Sequence, residues 1–181
     1  FWPKDVEHVF DDSGKIIGAK LRVEVDSADG LLPVGTAIDY EGVGTMSKSK
    51  NNGIDPQELI EKYGADTARW FMLSDTPPER DIEWTDAGAE GCWRFVNRIY
   101  RLCTEAGELP VPGTAVTATD EASTALRQAV HKAIAAVTDH LEHLRFNSAV
   151  AQLYTLANAI GASDKANPAA RREALEAVNV E

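Results

Sequence analysis

Two lysines lie close together in a short polar run, TMSKSKNNG, at positions 45–53. Only Ser49 separates Lys48 from Lys50, and Ser47 precedes them. Ammonium groups flanked by hydroxyls are suited to holding a negatively charged group such as a phosphate. The run shows neither the helical nor the strand spacing of apolar residues, so it predicts a loop whose chemistry matters more than its packing.

Part of this loop matches the P-loop pattern G-x-x-x-x-G-K-[ST]. Gly42, Lys48 and Ser49 fit, but Ser47 stands where the pattern requires glycine. A P-loop also follows a buried strand and runs directly into a helix, whereas a short polar segment precedes this run and Asn-Asn-Gly follows it. These mismatches exclude a P-loop. Two lysines are also few for a polyanion-binding tract. From the residues alone, a solvated surface loop remains the alternative to a phosphate-binding loop.

The elements next to the loop are predicted from capping and turn residues. Asn51-Asn52-Gly53 permits left-handed backbone geometry, which predicts a hinge. Asp55-Pro56-Gln57-Glu58 combines an N-cap, a proline at the first helical position and a capping-box glutamate, and Gly64 ends the helix that follows. The loop is therefore expected to swing on a firmly capped helix.

Five further helices are predicted from capping residues and from apolar residues at helical spacing. They are 67–75 with Asp66 as cap, 86–108 with Thr85 or Asp86, 120–144 with Thr119 or Asp120, 148–160 with Asn147, and one from Asn167-Pro168 to Glu181. The third predicted helix of the chain is expected to bury a stripe of Trp93, Val96, Tyr100 and Cys103.

The first 44 residues predict strands and loops: a hairpin of 6–10 and 16–25, a loop over 28–44, and a short strand at 37–40. The predicted fold is mainly α, with a small β/loop segment followed by an antiparallel helix bundle. The absence of an initial Met and a last helix that runs to the end suggest a piece of a longer chain.

Composition narrows the function classes. The net charge of −11 argues against nucleic acid by charge alone, but residues 45–101 are less acidic in proportion, with 8 basic and 10 acidic side chains. No apolar run approaches the roughly 18–20 residues that span a membrane. Cys92 and Cys103 lie about 16 Å apart along one predicted helix, too far for a disulfide, which favours a reducing, intracellular setting. His140 and His143 are predicted to be surface residues rather than metal ligands, and no metal site is predicted.

The loop and its downstream sequence carry a family resemblance. TMSKS at 45–49 resembles the Lys-Met-Ser-Lys-Ser signature of class I aminoacyl-tRNA synthetases, with Thr45 in place of the first lysine. SKNNGIDPQELIEKYGADTARWFML at 49–73 and DIEWTDAGAEGCWRFVNRIYRL at 81–102 look like the leucyl-tRNA synthetase family. The isoleucyl and valyl families usually continue the signature with Leu-Gly-Asn instead.

This resemblance implies an ATP-dependent leucine–tRNA ligase as the parent protein. It implies Lys48 as the catalytic phosphate ligand, Met46, Ser47, Lys48 and Ser49 as ATP-binding residues with Met46 packing to anchor the loop, and Mg²⁺ arriving with ATP. It also implies three segments: 1–44 as the leucyl-specific insertion region before the loop, 45–80 as the signature loop and connecting helices, and 81–181 as a tRNA- or anticodon-binding-type bundle. The expected parent is monomeric and cytoplasmic. Because the four histidines form no His-x-Gly-His element, the chain alone is expected to be inactive.

Arg94, Arg98 and Arg101 are spaced i, i+4 and i+7, which places them on one helix face. By the resemblance this face contacts phosphates of tRNA(Leu); ion pairs with Glu90 and Glu105 are the alternative. A free-standing tRNA-binding module and a helical interaction domain are the other function classes considered. A pure binding module has no need of an ATP-clamping loop, and a scaffold has no need of an arginine face.

Overall fold

The computed structural model describes residues 1–117 and 119–178. The chain forms two compact units, one from Phe1 to Leu59 and one from Ile60 onward. The predicted mainly α fold with a small β segment is confirmed. The predicted division at 44/45 and 80/81 remains a prediction. Within the described residues, no helix is both long and apolar enough to cross a membrane.

The first unit contains five short strands. They are β1 (Val6–Phe10), β2 (Ile16–Leu21), β3 (Val25–Ser27), β4 (Gly30–Leu32) and β5 (Ala37–Ile38). One antiparallel sheet has the order β1-β2-β5, and β3 pairs with β4 in a separate hairpin. The small core of this unit contains Leu21 and Ala19, both buried.

The predicted hairpin of β1 and β2 is confirmed, but the strand predicted over 16–25 is wrong beyond Leu21. The pairing of β1 with β2 ends at Val6 and Leu21, the chain bends at Arg22 and Val23, and Val25 begins β3 in a separate hairpin. The predicted loop 28–44 also contains β4. The β3–β4 hairpin turns at Ala28 and Asp29, and Gly30, with φ 118°, begins β4 opposite Ser27. Three-residue strands are too short for periodicity to detect.

Within the described residues six α-helices follow: α1 (Pro56–Tyr63), α2 (Ala65–Ser74), α3 (Asp86–Thr104), α4 (Glu121–Glu142), α5 (Phe146–Gly161) and α6 (Pro168–Val178). Three residues join α4 to α5, so the chain reverses there, and α4 packs against both α5 and α6. The bundle core is apolar and alanine-rich; its buried members are Leu126, Val130, Ala133, Leu156, Ile160, Ala166, Ala170, Ala174 and Leu175.

An aromatic cluster joins α2, α3 and α5. The Trp70 ring stacks on Phe95 with centroids 5.1 Å apart, and Phe95 lies 3.8 Å from the Tyr154 ring. Trp84 contacts Phe71 at 4.7 Å between centroids. Burial raises the pKa of the Tyr154 hydroxyl. Trp70 and Trp84 therefore pack within this unit.

Among the caps predicted for α2 to α5, two are confirmed and two are wrong. The side chains of Thr85 and Asp120 cap α3 and α4. Asp66 is not the cap of α2, because Gly64, at φ 86°, joins α2 directly to α1. Asn147 is not the cap of α5, which begins at Phe146 after Arg145. The predicted extension of the last helix to Glu181 lies outside the described residues.

The stripe predicted to be buried on α3 is wrong. Trp93 and Tyr100 are 42% and 68% exposed, whereas Ala89, Cys92 and Phe95 are buried. The side of α3 that carries Ala89, Cys92 and Phe95 packs against α2 and α5, and this tertiary packing decides which side is buried. Both cysteines are free thiols, as predicted; Cys92 is buried and Cys103 is half-buried.

Candidate functional site

The lysine loop forms a preshaped turn. Ser47 is extended, with φ −152°, and begins a single 3₁₀ turn over Lys48–Lys50. The Lys50 N–H donates to the Ser47 hydroxyl at 3.3 Å, and the hydroxyls of Ser47 and Ser49 lie 3.3 Å apart. Asn51 ends the turn in the left-handed region, with φ 51°, as the sequence predicted. The loop is therefore ordered by its own residues.

Both lysine side chains of this turn are exposed. Neither Lys48 nor Lys50 forms an ion pair with any described residue. Residues 42–54 contain no acidic side chain that could neutralise them. Met46 is 47% exposed, and its predicted role in anchoring the loop remains a prediction. Two free ammonium groups and two hydroxyls thus lie together within four residues, a set that suits a phosphate group.

The Asn52 side chain stabilises this turn with two hydrogen bonds. Its Oδ1 accepts the Ser47 N–H at 2.8 Å, and its Nδ2 donates to the Thr45 carbonyl at 3.2 Å. The sequence predicts only backbone freedom for Asn52, and these two side-chain hydrogen bonds are found only in the structure. The available signal was chemical: asparagine side chains commonly hydrogen-bond to nearby backbone in turns.

The helix after the loop is fixed at its first turn. The Asp55 carboxylate accepts the Gln57 N–H at 2.9 Å, as a cap should. The Glu58 carboxylate, predicted to complete a capping box, accepts a hydrogen bond from the Lys4 ammonium at 2.7 Å. This bond raises the pKa of the Lys4 ammonium. The N-terminal segment is thereby linked to the helix that follows the loop.

The three arginines predicted to share one face of α3 have different neighbours. Arg94 pairs with Glu90 at 3.5 Å, the ion pair considered as the alternative. Arg98 donates to the Asn158 side chain at 2.7 Å and to the Ala157 carbonyl at 3.2 Å, so it holds α3 to α5. Arg101 is exposed, and its guanidinium has no hydrogen bond or ion pair within the described part of the chain.

Arg101 borders an open cleft of about 280 Å³ between α3 and α6. The cleft is lined by Arg98, Arg101, Leu102, Glu105, Ala106 and Arg171. The Nε of Arg171 is buried and without a hydrogen-bond partner among the described residues. Three guanidinium groups and one carboxylate give this cleft a positive balance in a chain of net charge −11. The sequence does not predict that Arg171 lies near this face, because it is about 70 residues from Arg101 along the chain.

The described residues contain no group of three histidine, cysteine or acidic side chains that could hold a metal ion. His143 contacts the Asp139 carbonyl at 2.7 Å through Nδ1, and it is exposed. His140, three residues away, is half-buried rather than on the surface. Arg69 pairs with Asp66 within α2.

Comparison with known proteins places these features in a family. Residues 29–85, which include the lysine turn and Asn52, match the model of the family described as tRNA synthetases class I (I, L, M and V). This class contains the signature that TMSKS resembles. Residues 29–85 of the chain are therefore class I tRNA synthetase sequence.

The similar proteins within this class are leucine–tRNA ligases. The enzyme of Delftia acidovorans is 51% identical over 170 residues, which are 88% of this chain and 19% of that protein. That of Parvibaculum lavamentivorans is 54% identical over 165 residues, 86% of this chain and 19% of that protein. The enzyme of Polaromonas naphthalenivorans is 46% identical over 183 residues, which are 96% of this chain and 20% of that protein. The chain thus spans about a fifth of the length of these relatives.

A solved structure is similar in fold as well. It is the LeuRS agnB2 of Agrobacterium radiobacter K84, in a ternary complex with tRNA and LeuAMS. The match has a TM-score of 0.64 at 25% identity and covers 74% of this chain and 18% of the other.

Proposed function

We propose that this chain supplies the phosphate-clamping loop and the tRNA-supporting helices of a leucine–tRNA ligase, which activates leucine with ATP and transfers it to tRNA(Leu). One observation carries the proposal: a braced turn presents two unpaired lysines at the position of the class I signature. The leucine specificity is supported by the three ligases that share about half of their aligned residues with this chain.

The chemistry of amino-acid activation explains why such a turn is useful. When the amino acid attacks the α-phosphate of ATP, negative charge grows on the leaving pyrophosphate. An ammonium about 4 Å from that charge gains about 4 kcal/mol at an effective dielectric constant near 20. We assign this task to Lys48. Ser47 and Ser49 add hydroxyl or backbone N–H donors, and Met46 anchors the loop by packing.

Thr45 stands where the signature has its first lysine, so any contribution of that charge is missing here. Lys50, two residues after Lys48 and equally exposed, is placed to supply part of it. We further propose that Mg²⁺ arrives with ATP and is held by its phosphates. The parent enzyme is proposed to be a cytoplasmic monomer, with this chain inactive by itself.

For the helices, we propose contact with tRNA phosphates at the cleft between α3 and α6. Arg101 and Arg171 have guanidinium groups without partners there, and arginine suits phosphate oxygens. Arg98 borders the same cleft while it holds α5. Arg94 contributes less, because Glu90 already pairs with it. The similar LeuRS was solved with tRNA, which supports this class of partner.

The direct test is ATP–pyrophosphate exchange by the full-length protein, run with each amino acid in turn. We expect leucine-dependent exchange, and we expect Lys48→Ala to slow it by about 10²–10³-fold, the size of one lost transition-state donor. Lys15→Ala removes an equal charge at a turn in the β segment and serves as the matched control.

Each outcome of this test is informative. A loss below threefold in Lys48→Ala would reject the clamp. Exchange with another amino acid would keep the class and reject leucine. If no amino acid supports exchange, a free-standing tRNA-binding module becomes the better account of the chain.

A further inference from the structure

The Asn52 amide closes the lysine turn into a ring. One bond reaches the Ser47 N–H, at the start of the turn, and the other reaches the Thr45 carbonyl, two residues earlier. Asn52 itself directly follows Asn51, the left-handed residue that ends the turn. A single half-buried side chain therefore holds both ends of the segment that carries Lys48.

This closure determines the direction in which the lysines point. The ammonium groups of Lys48 and Lys50 have no partners among the described residues, so the backbone turn sets where their side chains begin. The bonds that set the turn are few: those from the Lys50 and Asn51 N–H groups to the Ser47 and Lys48 carbonyls are 3.3 Å long. The shortest hydrogen bond in the segment is the one from the Ser47 N–H to Asn52, at 2.8 Å.

The hydrogen bond from Asn52 to residue 45 involves only the backbone of residue 45. The acceptor is the Thr45 carbonyl, and the Thr45 side chain takes no part in the bond. Any residue at position 45 offers the same carbonyl. The turn can therefore keep its shape although threonine stands where the signature has a lysine.

We propose that Asn52 is a positioning residue, which holds Lys48 in the orientation for its phosphate contact before ATP binds, and which does so whatever side chain is present at position 45. This inference rests on the proposed function of the loop. Preorganisation of a charged donor lowers the barrier of the chemical step more than it changes amino-acid binding.

The test is a double-substitution cycle in the full-length protein, followed by leucine-dependent ATP–pyrophosphate exchange. Asn52→Ala should lower kcat about tenfold and leave the KM for leucine within about twofold. In the Lys48→Ala background, the same substitution should lower kcat by less than about twofold, because there is no ammonium left to position. A purely structural residue would instead reduce both backgrounds by the same factor.

Two further variants complete the design. Asn51→Gly is the matched control, because glycine takes the left-handed conformation without strain; we expect kcat within about twofold of the wild type. In a Thr45→Lys background, Asn52→Ala should cost the same tenfold factor as in the wild type. Thermal unfolding of each variant checks that the fold is kept.

The outcomes distinguish the inference about Asn52 from the proposed function of the chain. Exchange in the wild type with unchanged kcat in Asn52→Ala overturns the inference alone. Equal losses in the presence and absence of Lys48 overturn it as well. No exchange by the wild type with any amino acid overturns the proposed function, and the inference with it.

Discussion

At the scale of single residues, the three arginines of α3 show how neighbours decide the use of identical side chains. Arg94 is held by Glu90, and Arg98 is held by the C-terminal part of α5. Among the described residues, Arg101 alone of the three has a guanidinium without a partner, and Arg171 lines the same cleft. Because an exposed ion pair must be broken before a phosphate is bound, the free arginines are the better ligands.

The arginines should therefore differ in their effect on RNA binding. In the full-length protein, we expect Arg101→Gln and Arg171→Gln each to weaken tRNA binding and to lower the slope of log K against log salt by about 1. Arg94→Gln, on the same helix, should change the slope by less than about half of that. Binding titrations between about 50 and 200 mM salt measure this. An equal effect of all three substitutions would contradict the assignment of the cleft.

At the scale of elements, capping residues determine where the long helices begin. The Thr85 hydroxyl accepts the Gly88 N–H at 3.1 Å, and the Asp120 carboxylate accepts the Ser123 N–H at 2.8 Å. These bonds satisfy N–H groups that the first turn of a helix leaves without partners. α3 carries Arg94, Arg98 and Arg101, and α4 contributes Leu126, Val130 and Ala133 to the bundle core, so the starts of these helices position both sets.

Removal of the Thr85 hydroxyl should destabilise the start of α3. We expect Thr85→Ala to lower the free energy of unfolding by about 1 kcal/mol, measured by urea denaturation. Thr104→Ala is the control in the last turn of the same helix, where the hydroxyl donates to the Tyr100 carbonyl. Thr104→Ala should lower the free energy of unfolding by less than about 0.5 kcal/mol. Equal losses in the two variants would show that the cap does not stabilise α3.

The Asp120 cap should make stability depend on pH. The hydrogen bond from the Ser123 N–H lowers the pKa of the Asp120 carboxyl below its ordinary value. A lowered pKa means that the contribution is complete above the unfolded value, roughly 3.9, and is lost as pH falls through the folded value. Asn also caps helices but does not titrate in this range. The melting temperature of the wild type should therefore fall relative to Asp120→Asn as pH is lowered from 7 to about 3. A constant difference over this range would contradict the prediction.

At the scale of the whole molecule, the chain forms two units that differ in secondary structure and in the size of their cores. The first, from Phe1 to Leu59, has short strands around Leu21 and carries the lysine turn. The second, from Ile60 onward, buries a continuous cluster among α4, α5 and α6. The longest helix, α4, contributes the buried Leu126 and Val130 to this cluster, while Ile134 and Leu141 farther along are about half exposed.

This difference along α4 predicts unequal effects of the same substitution. Leu126 is 3% exposed, so Leu126→Ala should cost about 2–5 kcal/mol of unfolding free energy through lost burial and a cavity. Leu141 is 49% exposed, and Leu141→Ala should cost less than about 1.5 kcal/mol. Urea denaturation of both variants measures the difference. Similar losses would mean that the core extends to the C-terminal end of α4.

The amino-acid sequence by itself determined the class of fold, the lysine turn with its left-handed asparagine, and the starts of α1, α3 and α4. These features depend on contacts within a few residues, which spacing and residue type reveal. Tertiary structure decided which face of α3 is buried, that Arg98 holds α5, and that Arg171 faces Arg101. The short β3–β4 hairpin and the Asn52 brace were also found only in the structure. Each of these depends on which of several chemically suitable partners the folded chain brings within a few ångströms, and no local pattern encodes that choice.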